Sequence, residues 1–540
     1  MIIPKSSFLK MKTIIRNNWI LAAILLVYLF LALYQLDNIP AAIWGDAIEH
    51  YYLAENILHG HPFFNYAYGG DGPVFSYIVV LVSVFFGLSF YSLKLTAVFI
   101  GFFFVLSLYF LAKEFFHNKH IALLSTAISA ISFWTIDFAR QPHARILVPL
   151  FICLTLLFTL KKKNTLAGIL LGLGMYTQAS IWGLILTYWR NIRILLIGLI
   201  LMIPLGYSFS TSNFLSNQSY FGEKLAVHTP ILQVITAIAH NIVANALSFN
   251  VHGDETFRMN IPGHPHLDFL SGILFDIGFL LLLYQSLPKI LVRKIQKFFG
   301  FIRAPFEKNK IMRAETEKNF SYRADKQTFL LYFILPFFFI QVPSLLDVHN
   351  YFVQPNISRM IGIIPFVYMS IAYCIFLFAK YCTSFVHKAT LKKILFAGVY
   401  GVLLIGILIL NFYNYFIVYP RTLPNGNTPF DKIIAQAIDK TSPTTKIIII
   451  GAGWGQYAQP EVAGIPIVQK TMHPEFFVDT PDQTQQILCQ SKTKGQQIFV
   501  VSNPDYQQTL QTINLCMQKG KSSLLSANGW NVAYTISGKQ

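Results

Sequence analysis

Gly72–Phe90 reads GPVFSYIVVLVSVFFGLSF. It is uncharged and close to the ~20 apolar residues that a bilayer-crossing helix needs. Whether it crosses decides the orientation of everything after it. Apolar runs recur on either side, at 19–36, 92–112, 121–138, 145–160, 165–179, 180–189, 194–210, 267–286, 328–345, 360–379 and 394–418. Cytoplasmic loops of membrane proteins collect Lys and Arg. With a cytoplasmic N-terminus and 72–90 on the surface, the inside segments hold 26 of them. These include Lys5, Lys10, Lys12 and Arg16, Lys161 to Lys163, eleven within 286–327, and Lys380, Lys388, Lys392 and Lys393. Outer loops ahead of the tail then keep Arg140, Arg145, Lys224, Arg258 and Arg359, with Lys94 just inside the second span. Were 72–90 to cross, the Lys161 cluster and the 286–327 loop would both fall outside. The stretch therefore predicts a helix lying on the outer face, within a first outer loop over 37–91 that has no Lys or Arg.

Composition agrees with lipid-facing helices. Of 540 residues, 54% are hydrophobic and 12% charged, against about 25% charged in soluble domains. Disorder, a coiled coil and a simple soluble enzyme are excluded. The net charge of +18 would suggest nucleic acid in a soluble domain. Here the charge lies on the cytoplasmic side, so no nucleic-acid partner is expected, and the 286–327 loop reads as a contact for anionic lipid. The first run is too long for a cleaved signal peptide and reads as a retained helix.

The expectation is an α-helical polytopic membrane protein with about 11 spans over 1–418 and an extracytoplasmic α/β domain over 419–540. In that tail, Lys446-Ile-Ile-Ile-Ile, Gln497–Val501 and Asn531–Ile536 read as strands, and 431–440 and 505–518 have helical spacing. Gly451-Ala-Gly-Trp-Gly follows a strand but lacks the third glycine of a dinucleotide turn. The five cysteines show no metal spacing; Cys489 and Cys516 share the tail, and whether they pair is left open by the sequence, an oxidising compartment being the condition for it. No metal-ligand pattern stands out, since His264 and His266 flank a proline as a poor chelate. A divalent cation stays open as a cofactor.

Ionisable groups gather on the outer face: Asp46, Glu49, His50, His61, Asp71, Arg140, His143, Arg145, Arg258, His264, His266, His349 and Arg359. Acids mixed with arginines suit acid/base chemistry on a phosphate-bearing substrate, because Arg matches phosphate oxygens with paired hydrogen bonds. Asp46, ten residues past the first span, can act as a general base. It reads equally as the N-cap of a helix running to Leu58, with Glu49 at the capping-box position. Asp71, in Gly69-Gly-Asp-Gly-Pro73, reads either as a site carboxylate or as a turn residue. Arg140, Arg145 and Arg359 are candidates for a phosphate or are interface anchors. Asp137 and Asp276 sit at or inside spans, where helix–helix contacts explain them as well.

These residues resemble those of the GT-C membrane glycosyltransferases, in the group of protein O-mannosyltransferases and lipid A aminoarabinose transferases (glycosyltransferase family 39-like), over about 18–418. Asp46, with Tyr51 to Gly60 running to a His-Gly turn, is similar to the family's Asp-Glu start of the first outer loop, although the pair is Asp46-Ala47 here and Glu49 is offset. Gly70-Asp-Gly-Pro73 resembles its acidic residue before a juxtamembrane helix. Ala139-Arg-Gln-Pro-His-Ala-Arg145, Asn260–Asp268 with Gly272–Gly278, and Asn356–Pro365 are similar to its later segments. The resemblance implies a sugar carried from a polyprenyl phosphate donor to a protein, lipid or glycan acceptor outside the membrane. It implies Asp46 as general base, with Asp71 and Glu49 as further carboxylates of the site. Arg140, Arg145 and Arg359 would meet the donor phosphate, and His143, Arg258, His264 and Asn356 the substrates. Two other classes are weighed. A polymerase or ligase using a diphosphate-linked glycan usually carries its large outer loop late in the chain. A lipid-linked sugar transporter needs polar groups along its spans, and few spans carry any.

Overall fold

The computed structural model describes residues 5–42, 45–62, 64, 66, 71–211, 230–287, 326–348, 354–451, 462–478, 480–490 and 496–539. Each of the eleven apolar runs is occupied by helix. Among the described residues, five helices are long and apolar enough to cross a membrane: Phe90–Phe116, Phe269–Ser286, Lys326–Leu345, Ile357–Ser384 and Ala389–Thr422. Lys119–Ile131 and Phe133–Arg140, bent by 56°, make a sixth if they are one span. Asn18–Leu33, Ala144–Leu160, Asn164–Gly174, Ala179–Tyr188 and Ile192–Ser208 are shorter apolar helices. The protein is an α-helical polytopic membrane protein with a small C-terminal sheet. The division read at Gln178 falls in the break between Gly174 and Ala179. The second piece is a 3₁₀ helix of 10 residues, which at ~2.0 Å per residue reaches further than an α-helix of equal length.

Within 72–90 the chain forms a separate helix, Val74–Phe86. In the membrane unit a helix escaped the sequence reading: Ile231–Leu247 buries Ala237, Asn241 and Asn245 and exposes Ile231, Leu232, Ile235, Ile242 and Val243; in the tail, Pro481–Gln490 was missed as well. In Ile231–Leu247, asparagines inward and isoleucines outward reverse the soluble pattern, as lipid contact demands. Asn241 Nδ2 donates to the carbonyls of Leu345 (3.0 Å) and Asp347 (3.2 Å). The basic loop lies mostly outside the described residues, as do His349 and the Ala452–Gly455 part of the glycine turn.

Contacts divide the chain into two compact units: 1–34, 62–75 and 95–417, and 35–61, 76–94 and 418–540. The expected partition was 1–418 and 419–540. The first unit centres on Ile364–Ser384, which is buried along almost its whole length. Gly278 lets a neighbour come close, since a Cβ there would lie 2.0 Å from the Ser370 carbonyl. By contrast, Ala389–Tyr413 buries Ile407 and Asn411 while Ile394, Val402, Ile405 and Ile409 face outward.

At Ser132 the chain turns extended between two helices, which frees the Phe133 N–H. A backbone donor without a partner is costly inside a bilayer protein. Asn411 Oδ1 accepts it at 2.7 Å, while Asn411 Nδ2 donates to Asp268 Oδ2 (2.8 Å) and to the Ile407 carbonyl (2.8 Å). Asn411→Leu strands a buried donor and a carboxylate together, and is expected to cost about 2–4 kcal/mol. Thermal unfolding in detergent reads this as a lower Tm.

In the second unit, five strands run β1 (Lys446–Ile450), β2 (Glu475–Val478), β3 (Gln497–Ser502), β4 (Gln518–Ala527) and β5 (Trp530–Lys539). Their order is β2-β1-β3-β5-β4. The first three are parallel, and β5 is antiparallel to both β3 and β4. Phe430–Asp439 covers one face, where Phe430, Ile434 and Ile438 pack on Ile447, Ile449 and Val501. Leu510 and Ile513 cover the other, over Ile448, Ile450 and Val500. The helix expected over 505–518 ends at Leu515, because Gln518 already pairs with Lys539 in β4.

Candidate functional site

The membrane unit places Asp71 by its backbone. Asp71 forms an isolated antiparallel bridge with Gln178, and the Gly72 N–H donates to the Thr177 carbonyl at 2.6 Å. A Cβ at position 72 would lie 1.9 Å from the Tyr176 carbonyl, so only glycine permits this approach. The Asp71 carboxylate is fully buried. Its Oδ1 lies 3.5 Å from Arg145 Nε and its Oδ2 3.9 Å from His143 Nδ1. Arg145, 8% exposed, opens Leu147–Leu160 through the 3₁₀ turn Ala144–Ile146. A carboxylate and an imidazole are donors that a divalent cation accepts, but the adjacent guanidinium already supplies positive charge. Nearby, the Tyr66 hydroxyl donates to the Met175 carbonyl and accepts from Trp182 Nε1 at 3.1 Å; burial pushes this phenol up from its ordinary range.

Arg140 is differently engaged. One of its terminal nitrogens donates to the carbonyls of Leu31 (3.0 Å), Ala32 (3.0 Å) and Tyr34 (2.6 Å). Its guanidinium also lies 5.3 Å from the ring centres of Tyr415 and Phe416. It therefore satisfies the carbonyls left over where the first helix ends at Leu33. Gln141 Nε2 donates to Asp137 Oδ1 (2.8 Å) and to the Arg258 carbonyl, which fixes the loop that carries Arg258.

A second cluster forms around Arg359, which is ion-paired with buried Asp347. Gln354 Nε2 donates to Asp347 Oδ2 at 3.3 Å, and Gln354 Oε1 accepts from Ser344 Oγ (3.1 Å) and the Asn356 N–H (3.0 Å). Asn356 is the N-cap of Ile357–Met360, accepting from the Arg359 N–H at 3.1 Å. Asn260 Nδ2 donates to the Asp254 (3.0 Å) and His264 (2.6 Å) carbonyls. His264 shares a crevice with Phe133, Asn260, His266, Asp268 and Asn414. His266 is buried, which holds its imidazole down to about 3; as a neutral ring, its Nε2 accepts the Asp254 N–H at 3.2 Å.

Asp254 and Asp347 were not singled out from the sequence. A signal existed, since an arginine in an outer loop calls for a carboxylate and few acids are available. Asp254 Oδ1 accepts from the Thr256 N–H (2.7 Å) and Oδ2 from the Ile357 N–H (2.8 Å), tying the 248–268 loop to the Arg359 helix. Burial pushes Asp254 up to about 6, against those hydrogen bonds and the Arg359 charge. The folded state thus holds this proton more tightly than the unfolded chain. Its stabilising contribution is full below about pH 4 and is lost as pH rises through about 6, at most ~3 kcal/mol for two pKa units. Asp254→Asn is expected to flatten Tm against pH across that window; an unchanged slope would refute the assignment.

In the second unit, Asp46 is the second residue of Gly45–Leu58, two places further in than the N-cap expected. That puts its half-buried side chain at the positive end of the helix dipole. Glu49 follows on the same helix, half-buried. Ala47, Ile48, His50 and Ala54 form the buried face, with His50 Nδ1 2.9 Å from Ser76 Oγ. Cys516 is disulfide-bonded, while Cys153, Cys374 and Cys382 are free thiols.

No family model matches this sequence, and no curated protein matches it either. Solved structures do. The chain is similar to ArnT from Cupriavidus metallidurans in the apo state, with a TM-score of 0.54, 12% identity, and 97% of this chain and 98% of that one covered. The same ArnT bound to undecaprenyl phosphate gives a TM-score of 0.52 at 12% identity, covering 96% and 97%. The archaeal oligosaccharyltransferase AglB from Archaeoglobus fulgidus gives 0.48 at 14% identity, covering 97% and 74%. Nearly end-to-end similarity at such low identity is a statement about architecture: this chain has the GT-C fold of membrane glycosyltransferases.

Proposed function

We propose that the protein is a membrane glycosyltransferase that moves a sugar from a polyprenyl phosphate donor to a protein, lipid or glycan acceptor on the outer face of the membrane. The observation that carries this reading is the buried Asp71–Arg145 pair beside His143, in a fold whose ArnT example is known bound to undecaprenyl phosphate. Asp46 takes the proton of the acceptor hydroxyl as its oxygen attacks the anomeric carbon. The bond from that carbon to the phosphate oxygen breaks, and the electron pair leaves with the polyprenyl phosphate. Arg145 and Arg359 stabilise that leaving charge. Arg145 is preferred over Arg140, which is occupied with backbone carbonyls. Asp71 orients Arg145, Glu49 is the reserve carboxylate, and His143, Arg258, His264 and Asn356 shape the substrate loops.

Two features support an outward tail: the charge asymmetry of the loops, and the Cys516 disulfide, which persists in oxidising compartments. An impermeant maleimide on intact cells is expected to label Ser523→Cys and to leave Lys388→Cys unlabelled; the opposite pattern would invert the topology. Activity is tested by offering purified protein in nanodiscs a panel of radiolabelled polyprenyl phosphate sugars with membrane extract as acceptor. Label moving from one donor supports the reading. Donor binding without turnover favours a transporter.

A further inference from the structure

The turn that launches the Asp46 helix is held from two directions. Lys94 Nζ, from Phe90–Phe116, donates to the carbonyls of Leu36 (3.0 Å) and Pro40 (2.7 Å). From the start of the C-terminal tail, Asn427 takes the same turn by both ends of its amide. Its Oδ1 accepts the Ala41 N–H at 2.8 Å and its Nδ2 donates to the Asn38 carbonyl at 2.7 Å. Asn427 itself sits at φ +61°, a left-handed conformation that asparagine tolerates better than most residues. Two more ties follow. Lys432 Nζ meets Asp37 Oδ2 at 2.7 Å, and the Tyr52 hydroxyl, on the Asp46 helix, donates to the Ala463 carbonyl at 3.1 Å. The tail therefore grips the first outer loop before, and within, the helix that carries Asp46 and Glu49.

We infer that Asn427 is a positioning residue for Asp46, and that the C-terminal domain acts as a brace fixing the pose of the Gly45–Leu58 helix. This rests on the reading of Asp46 as general base. Only a side chain that donates and accepts at once fills the place. The substitution Asn427→Asp sets a second acceptor against the Asn38 carbonyl, and Asn427→Leu leaves both backbone groups unmatched. The surface pair Lys432–Asp37 is exposed and secondary. Because a displacement of about 1 Å in a reacting group can cost on the order of 100-fold in rate, loss of the grip is read in turnover rather than in donor affinity.

The experiment compares wild type, Asn427→Leu, Asn427→Asp and Asp46→Asn as full-length protein in nanodiscs, with the donor found in the panel. Both Asn427 variants are expected to lower kcat at least tenfold with the donor KM unchanged. Hydrogen exchange is expected to quicken in the amides of 38–41 and 45–58 while β1 and β3 stay protected. Unchanged exchange in 45–58, or quickened exchange with wild-type kcat, overturns the proposal. If Asn427→Leu lowers protection across the whole sheet, the isosteric Asn427→Asp decides alone. An Asp46→Asn protein that turns over normally would instead overturn the reading of the base, whatever the Asn427 variants do.

Discussion

Asp46→Asn is expected to lower transfer by about 10²–10⁴-fold in kcat, with the donor KM nearly unchanged, since that is what a positioned base contributes. The substitution is nearly isosteric, so what it removes is charge and basicity. Asp46 is half-buried, and the helix is held through Ala47, Ile48, His50 and Ala54. A matching Tm for wild type and variant would show that a fallen rate is chemical in origin. Glu49→Gln is the control, because Glu49 stands three residues on and shares the same side of the helix. Should Asp46→Asn work at the wild-type rate while Glu49→Gln fails, the base is Glu49 and the offset from the Asp-Glu pattern is real.

Much of the membrane architecture was legible because lipid imposes a long, simple signal. Runs such as 92–112 and 394–418 fall on Phe90–Phe116 and Ala389–Thr422. Ile231–Leu247 was missed because its inward side chains are asparagines, which break the apolar run in a linear reading. Only the structure shows Asn241 satisfied by the carbonyls of Leu345 and Asp347. In the sheet, the three strands read correctly are β1, β3 and β5, which carry buried, mostly apolar runs. The two missed, β2 and β4, are the edges, where β2 is short and β4 is polar, as edge strands tend to be. The pairing of arginines was the least legible part. Arg140, Arg145 and Arg359 look alike as isolated outer-face residues. The first ends up on backbone carbonyls, the second on Asp71 and the third on Asp347, through contacts 74 residues apart in sequence at Asp71–Arg145.

Removing the Asp71 charge is expected to have the largest effect on the fold. Asp71→Asn leaves Arg145 buried without its counter-charge, and a broken buried pair costs about 3–5 kcal/mol. Arg145→Met leaves Asp71 in the same position and is expected to cost a similar amount. Removing both charges deletes the mismatch as well as the pair, so Asp71→Asn/Arg145→Met is expected to be more stable than the sum of the single variants by about 1–3 kcal/mol. Unfolding in nanodiscs at matched lipid composition measures all three. Simple additivity would mean that the 3.5 Å approach carries no coupling. Function should part from stability in the same series. If Arg145 meets the donor phosphate, the double variant recovers its fold without recovering donor binding or transfer. If it transfers sugar once refolded, the pair is structural and the phosphate belongs to Arg359, whose Arg359→Met variant then loses donor binding.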